Sequence, residues 1–302
     1  MFTKKQIILR KIRYFYYRYI LIIMNDKKYK NWRAKKINHK KLDLDNPKTF
    51  DEKIWSLNLY DYTNLDLKTK CTDKVAVRDY VKECGLEYIL NEVYGVYNNF
   101  DEIDFSTLPK EAFFKCNHIS GGGIIYQKDK TNIQNMRIYF DLFLKENYYY
   151  FSRERNYKNI KPKILCEKVI RDKNNELPTD FKFMCFNGKP MYLFLDMGCC
   201  DKSGSHKDDY LRNIYDMNFN PTPYRETRDS DFSLAKKPKN WEEMIKIVTK
   251  LCEPFKHCRV DLYNIDDEKI IFGEITFYHG GALNNFSPED WDLYLGSLIT
   301  IK

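Results

Sequence analysis

The sequence has no Cys-x-x-Cys pair, although it holds nine cysteines. Apart from Cys199 and Cys200 they stand singly, so the ligand spacing of a structural zinc site is missing. An odd, unpatterned set is expected in a reducing cytoplasm, with most thiols packed as small core groups. Glycine and proline are scarce, 12 and 10 of 302 residues, which excludes collagen-like and Pro/Gly-rich disordered chains. The uncharged run Tyr19 to Asn25 falls far short of the roughly 20 apolar residues that cross a bilayer, and no small-residue cleavage site of a signal peptide follows it. What is plentiful is apolar surface: 43% hydrophobic and 16% aromatic residues, enough for two or three compact units.

Positive charge is also unevenly placed. The net charge is +8, yet Met1 to Lys41 carries 14 Lys/Arg against the single acid Asp26, and the rest of the chain is mildly acidic. No nucleic-acid-binding signature accompanies that acidic body, so no nucleic-acid partner is expected. Within the basic arm Arg10, Lys11, Arg13 and Arg18 alternate with Ile12, Tyr14, Phe15, Tyr16, Tyr17 and Tyr19, the pattern of an amphipathic helix. Such a helix lies on an anionic membrane surface, or packs its apolar face on the body; spacing leaves both open.

Turn residues and periodicity divide the chain into an arm (1–43), a mostly helical region (44–100) and two mixed units (101–170 and 171–302). Helical spacing is expected over Thr49 to Tyr60, Asp73 to Cys84 before Gly85, Asn132 to Asn147 and Trp241 to Phe255. Strands are expected over Glu92 to Tyr97, Ala112 to Cys116, Ile164 to Ile170, Phe181 to Phe186 and Met191 to Met197. Asn187-Gly188 marks a hairpin that Lys189 and Pro190 lengthen. The order of elements indicates an α+β fold.

Three stretches carry chemistry. Cys258 to Tyr263 and Ile270 to Phe277 read as a final hairpin, with Arg259 and Asp261 on one face of the first strand and Glu274 and Thr276 on one face of the second. A loop with an even number of residues would set Asp261 opposite Glu274. The result is either a site for metal-bound phosphates or an ordinary surface ion cluster. Lys115 ends an apolar strand and is followed by His118, Ser120, Gly121, Gly122 and Gly123, a cation with backbone N–H groups free to approach phosphate. It is not a Walker loop, and three glycines also fit a mobile turn. Glu167-Lys168-Val169-Ile170 and Asp180-Phe181-Lys182 put charges into apolar strands, as edge strands do. Asp229-Ser230-Asp231 fits the D-x-D pattern of a glycosyltransferase, the rival class.

In this order the blocks Pro47 to Ile54, Asp73 to Arg78, Lys115 to His118, Phe181 to Gly188 and Arg259 to Tyr263 resemble an ATP-grasp enzyme, closest to the branch associated with teichuronopeptide and capsular polysaccharide synthesis. The resemblance implies an ATP-grasp fold, two α+β domains gripping ATP, the small one carrying a glycine-rich lid and 171–302 holding the metals. It implies an ATP-dependent carboxylate–amine ligase, with a kinase-like phosphotransferase as an alternative. Lys115 and Arg78 would meet the phosphates, His118 to Gly123 would form the lid, Glu167 to Ile170 would meet adenine and Asp180 the ribose. By the same resemblance Lys182 and Arg212 would be further phosphate ligands, Arg259 would stabilise the transferred group, and Asp261, Glu274 and Thr276 would hold two magnesium ions. Family members commonly have Asn where Thr276 stands. The implied partners are a carboxylate-bearing sugar or glycan and an amine donor, met in the cytoplasm at the inner face of the membrane. Tyr278 to Gly281 is the expected acceptor side.

Overall fold

A computed structural model of the chain describes residues 3–199, 207 and 209–301. Met1 and Phe2 of the arm, Cys200, and Lys302 at the end of the last unit lie outside them. The helices are α1 (Lys4–Phe15), α2 (Asp26–Asn38), α3 (Phe50–Tyr60), α4 (Leu65–Thr72), α5 (Val77–Glu83), α6 (Ile133–Phe143), α7 (Tyr149–Ser152), α8 (Trp241–Cys252) and α9 (Asp290–Ser297). The strands are β1 (Val93–Tyr97), β2 (Glu111–Cys116), β3 (Ile124–Gln127), β4 (Ile164–Glu167), β5 (Asp180–Phe186), β6 (Lys189–Met197), β7 (Leu211–Asp216), β8 (Arg225–Glu226), β9 (His257–Ile265), β10 (Lys269–Thr276) and β11 (Phe286–Ser287). They form a small sheet in the order β1-β4-β2-β3, a large one in the order β10-β9-β5-β6-β7, and the pair β11-β8. Every pairing described is antiparallel, so the fold is α+β as expected.

Local chemistry explains most boundaries. Thr49 and Glu52 form a reciprocal capping box at the start of α3, and the Asn132 side chain caps α6. Helix α4 and strand β7 were not expected, and β4 stops at Glu167, so Lys168 to Ile170 are coil. The Asn187-Gly188 turn is tighter than expected. Phe186 pairs directly with Lys189, so Lys189 and Pro190 belong to the strand, and Asn187 and Gly188 take φ of 47° and 75° as a two-residue hairpin turn requires.

The large sheet sorts its side chains by strand parity. One face sends Phe183, Leu193, Leu195, Val260 and Leu262 into a core closed by Met244, Ile247, Val248 and Leu251 of α8. The other face is divided along its length. At one end Met184, Phe186, Phe194 and Ile214 pack under Ile54 and Trp55 of α3 and Trp291 and Leu295 of α9. Each large side chain so buried contributes about 1.5–3 kcal/mol. At the other end the same strands carry Lys182, Asp196, Arg212, Arg259 and Asp261, roofed by no helix of that core.

Residues 3–43 hold two helices, α1 and α2, joined by turns. In α2, Tyr29, Lys30 and Ala34 are fully buried; the Lys30 ammonium bonds the Gly281 carbonyl and lies over the Trp55 ring. Helix α1 and the turns after it have two faces. Tyr14 and Tyr17 pack on Phe151, Arg10 pairs with Glu146 at 2.6 Å, and Leu21 is buried. The opposite face turns Ile8, Ile12, Phe15, Tyr19 and Ile23 to solvent, Ile23 being 84% exposed.

At Gly188 a Cβ would lie 2.7 Å from the Glu253 carbonyl oxygen, in a left-handed backbone. Gly188→Ala is expected to cost about 1–2 kcal/mol, read as a lower urea midpoint with unchanged slope. An unaltered midpoint would mean that the turn does not depend on Gly188.

Candidate active site

Strand pairing sets Lys182 opposite Asp261 and Asp196 opposite Arg212 on one face of the large sheet. The last hairpin reaches that face by a different route from the one its spacing suggested. Ile265 pairs with Lys269 around a three-residue loop, Asp266 to Glu268, and by that register Glu274 would point into the helix-covered core. A bulge at Gly273 shifts the pairing, so that Glu274 meets Asp261 and Thr276 meets Arg259. Ile270 and Phe272 before the bulge, and Ile275 and Phe277 after it, all enter the same core; only a switch of parity allows this.

Arg259 organises what results. Its Nε and Nη2 donate to Asp261 Oδ1 and Oδ2 at 2.7 and 2.6 Å; Nη2 also donates to Glu274 Oε1 at 3.0 Å and Thr276 Oγ1 at 3.2 Å. Lys182 Nζ lies 2.5 Å from Asp180, 3.6 Å from Asp196 and 3.8 Å from Asp261. Arg212 is held by both oxygens of Asp196, at 2.6 and 2.7 Å, and by Glu226. Lys74 Nζ is 3.9 Å from Glu274 Oε2 and donates to the Ile119 carbonyl at 2.8 Å. Each carboxylate on this face thus has a cation beside it.

The electrostatics follow from this pairing. Burial opposes ionisation of Glu274, yet Lys74, then Arg259 and Lys182, hold its carboxyl down at about 2. For Asp261 burial wins, and its carboxyl stays above the usual range despite Arg259 and Lys182. Burial would lower Lys182, but Asp261 and Asp180 outweigh it and raise the ammonium above its ordinary value. Lys74 goes the other way: burial lowers it, and Glu274 only partly compensates.

Beside this face, between the two sheets, is a cleft of about 180 Å³. Arg78, Lys115, Glu167, Lys168, Val169, Ile170 and Asp180 all line it, with Lys74, Tyr263 and Phe272. Lys115 Nζ bonds Glu167 Oε1 at 2.5 Å, and Arg78 donates to the Asn91 carbonyl at 2.8 Å. Other residues lie elsewhere. His118 is buried, its ring between Asn117 Oδ1 (3.2 Å) and the Phe143 carbonyl (3.1 Å), so it does not face the cleft as part of a lid. Ser120, Gly121 and Gly122 line a different cavity, against α1, and Gly123 leads into β3 under the Phe113 ring. Thr276 Oγ1 donates to Glu274 Oε1 at 3.0 Å while accepting from Arg259, which occupies the hydroxyl expected to bind metal. Arg212 lies with Arg259 and His279 along a second opening of about 330 Å³ rather than in the cleft.

Sequence reasoning passed over Lys74, preferring Arg78 in the same segment. It also passed over Asp196, although an acid inside the apolar run of β6 was a signal. Glu226, in a two-residue strand, offered none. His279, within the stretch expected on the acceptor side, joins Arg259 Nη1 at 2.9 Å to Glu226 Oε2 at 3.0 Å. Of the D-x-D acids, Asp231 caps a turn by accepting from the Ser233 N–H, and Asp229 is exposed beside Arg225.

Asp261 and Glu274 offer hard oxygens facing one another, a donor set that magnesium accepts together with phosphate oxygens and water. Among the described residues no group of three His, Cys, Asp or Glu is arranged to hold a metal by protein alone. The residues therefore fit a magnesium ion that arrives with a phosphate.

No curated protein matches the chain in sequence. Among solved structures, an L-amino acid ligase from Bacillus licheniformis is similar over 77% of this chain and 49% of its own, at 13% identity and a TM-score of 0.48. A D-alanine–D-alanine ligase from Bacillus anthracis complexed with ATP covers 68% and 55%, at 15% and 0.41. An N5-carboxyaminoimidazole synthetase from Staphylococcus aureus covers 68% and 44%, at 12% and 0.36. The chain spans about half the length of these ligases. The assignment rests instead on a family model, TupA-like ATPgrasp, which matches residues 52–300. Because that match takes in most of the chain, with the residues lining the cleft and the bulged hairpin among them, the chain belongs to the TupA-like ATP-grasp family.

Proposed function

We propose that the protein is an ATP-dependent ligase that joins an amine to the carboxylate of a uronic acid or amino acid unit during capsular or teichuronic polysaccharide synthesis. The observation that carries this reading is the bulged hairpin, where Arg259, Asp261 and Glu274 share one surface beside the cleft lined by Glu167 to Ile170. A substrate carboxylate oxygen attacks the γ-phosphorus of ATP, the bridging P–O bond to ADP breaks, and an acyl phosphate forms. The amine then attacks the carbonyl carbon, phosphate leaves with the bonding pair, and the amine proton goes to solvent. Lys115 and Lys74, both on the cleft wall, would meet the phosphates, with Arg78 further along the same wall. Arg259, held from both sides, would face the charge that grows on the transferred phosphoryl oxygens without having to reorganise. Asp261 and Glu274 would hold magnesium, two ions on the family pattern, which supplies further positive charge to those oxygens. Glycans and amines suit the opening lined by Arg212, Arg228 and His279, where a carboxylate would find guanidinium groups.

His279 positions Arg259, and Glu226 positions His279. Burial disfavours the Glu226 charge, but His279 and Arg212 hold its carboxyl down at about 2 against an ordinary 4.5. A depressed carboxyl adds stability that is complete above the unfolded pKa and disappears as the pH falls through the folded one.

The outward face of α1 supports a second part of the reading. No helix among the described residues is long and apolar enough to cross a membrane. Ile8, Ile12, Phe15 and Tyr19 nevertheless form an exposed apolar stripe flanked by Lys4, Lys5 and Lys11. It would lie on an anionic membrane at the cytoplasmic side, near a lipid-linked acceptor.

With Mg-ATP, a uronate-bearing glycan and an amino acid, ADP release is expected to require both acceptors. Asp261→Asn or Glu274→Gln should reduce it by about 100-fold or more. Acceptor-independent ADP release that both variants retain would sink the ligase reading, and a stable phosphorylated glycan would replace it with a kinase. Glu226→Gln should cost about 3 kcal/mol at neutral pH; the gap in melting temperature should persist down to about pH 4.5 and close towards about pH 2. A gap independent of pH would refute the ionised Glu226. Ile8→Asp with Ile12→Asp should lower co-sedimentation with phosphatidylglycerol vesicles about tenfold and leave ADP release unchanged. Equal sedimentation would count against membrane docking.

A further inference from the structure

Lys30 of α2 is 1% exposed, and among the described residues the Gly281 carbonyl is the one hydrogen-bond acceptor for its ammonium. No carboxylate there forms an ion pair with it, and the Trp55 ring centroid lies 4.3 Å from Nζ. Burial, with Arg33, pulls the ammonium below its ordinary range against Asp51 and Glu154. If α2 had only to pack on the body, an apolar side chain of similar volume would serve at lower cost. The cation is explained by what it holds.

It holds the turn that follows β10. Gly280, Gly281 and Ala282 take φ of 58°, 62° and 52°, three left-handed residues in succession, a conformation that is unfavourable for Ala282. Two backbone bonds close the turn from within: Gly281 N–H to the Tyr278 carbonyl at 2.8 Å, and Ala282 N–H to the His279 carbonyl at 2.9 Å. The remaining grip comes from outside. The Asn284 amide nitrogen donates to the His279 carbonyl at 3.1 Å and to Asp51 Oδ1 at 2.6 Å, and the Asn284 backbone N–H donates to Asp51 Oδ2 at 2.8 Å. A Cβ at Gly280 would lie 1.9 Å from the Asn284 amide oxygen, so the turn and its clamp fit without slack. Lys30 and Asp51 both precede the stretch 52–300 that the family model matches.

The same turn carries the residue that meets Arg259. The His279 ring joins Arg259 Nη1 at 2.9 Å to Glu226 Oε2 at 3.0 Å, and His279 and Gly280 line the opening of about 330 Å³. None of residues 278–284 lines the nucleotide cleft. We propose that Lys30 is a positioning residue for phosphoryl transfer: through the Gly281 carbonyl it sets the His279 turn, and through that turn the guanidinium of Arg259. The step affected rests on the ligase reading above; the hold on the turn is measured without turnover.

Amide hydrogen exchange and steady-state ADP release of the full chain test this in Lys30→Met, Gly280→Ala and Tyr29→Phe. Lys30→Met removes the donor and the charge, and Gly280→Ala displaces Asn284 without touching α2. Tyr29→Phe is the control, since it loosens α2 by losing the 2.7 Å bond to the Phe151 carbonyl and leaves the turn alone. In Lys30→Met, exchange at residues 279–284 is expected to rise about tenfold and kcat to fall about 10–100-fold, with KM for ATP unchanged. Gly280→Ala should lose kcat in the same way, whereas Tyr29→Phe should lower Tm and leave both kcat and exchange at the turn as in the wild type. Unchanged exchange at 279–284 in Lys30→Met, or an equal loss of kcat in Tyr29→Phe, would overturn the proposal. Should Lys30→Met not fold, an unchanged kcat in Gly280→Ala overturns it from the other end of the relay. Wild-type ADP release that needs no acceptor would instead strike the ligase reading, while exchange still decides whether Lys30 holds the turn.

Discussion

The bidentate grip of Arg259 on Asp261, extended to Glu274, is the constraint around which the rest of the site is arranged. A guanidinium taken out of water at the bottom of a sheet face needs carboxylates on more than one side, and removing any of them strands the remaining charges. Lys182 and Lys74 are the outer cations of the cluster, and they balance the negative charge that two carboxylates against one arginine would otherwise leave in surplus. The same need for carboxylates bears on the glycine at 273. The bulge brings Glu274 to the polar face, and a Cβ there would meet the Asp261 carbonyl at 3.0 Å.

Which parts of this were legible in the sequence depends on the range over which they are encoded. Helices α3, α6 and α8 could be read because caps and apolar spacing are local. Helix α4 was hidden by Asp66, Lys68, Thr69 and Lys70, and strand β7 by Arg212 and Asn213, polar residues in places where the apolar period should continue. Asp261 was expected opposite Glu274 for a wrong reason. The loop has three residues rather than an even number, and a bulge compensates; a lone Gly inside a strand was the only trace of it. Asp196, Arg212 and Glu226 meet because of strand order and the short β8–β11 pair, and no local period records either.

The arm shows the same limit. Alternation of bases with aromatics announced an amphipathic helix, and two destinations for its apolar side stayed open. In the structure the arm has two faces: Tyr14, Tyr17 and Leu21 pack on the body while Ile8, Ile12 and Phe15 are exposed. A sequence states how apolar residues are spaced along a helix, whereas the neighbour that meets each side is supplied by distant chain, here around Phe151 and Glu146, the latter 136 residues from Arg10.

Loop and site are not independent of one another. The Ile119 carbonyl is the one hydrogen-bond acceptor described for the Lys74 ammonium, which lies 3.9 Å from Glu274 and is already disfavoured by burial. Moving the loop away removes that acceptor, and a buried ammonium without one costs more than an ordinary hydrogen bond returns. Lys74 must then turn towards Glu274 or towards another anion in the cleft. The position of the loop and the charge balance around Glu274 are therefore linked through the Ile119 carbonyl and the Lys74 ammonium it holds.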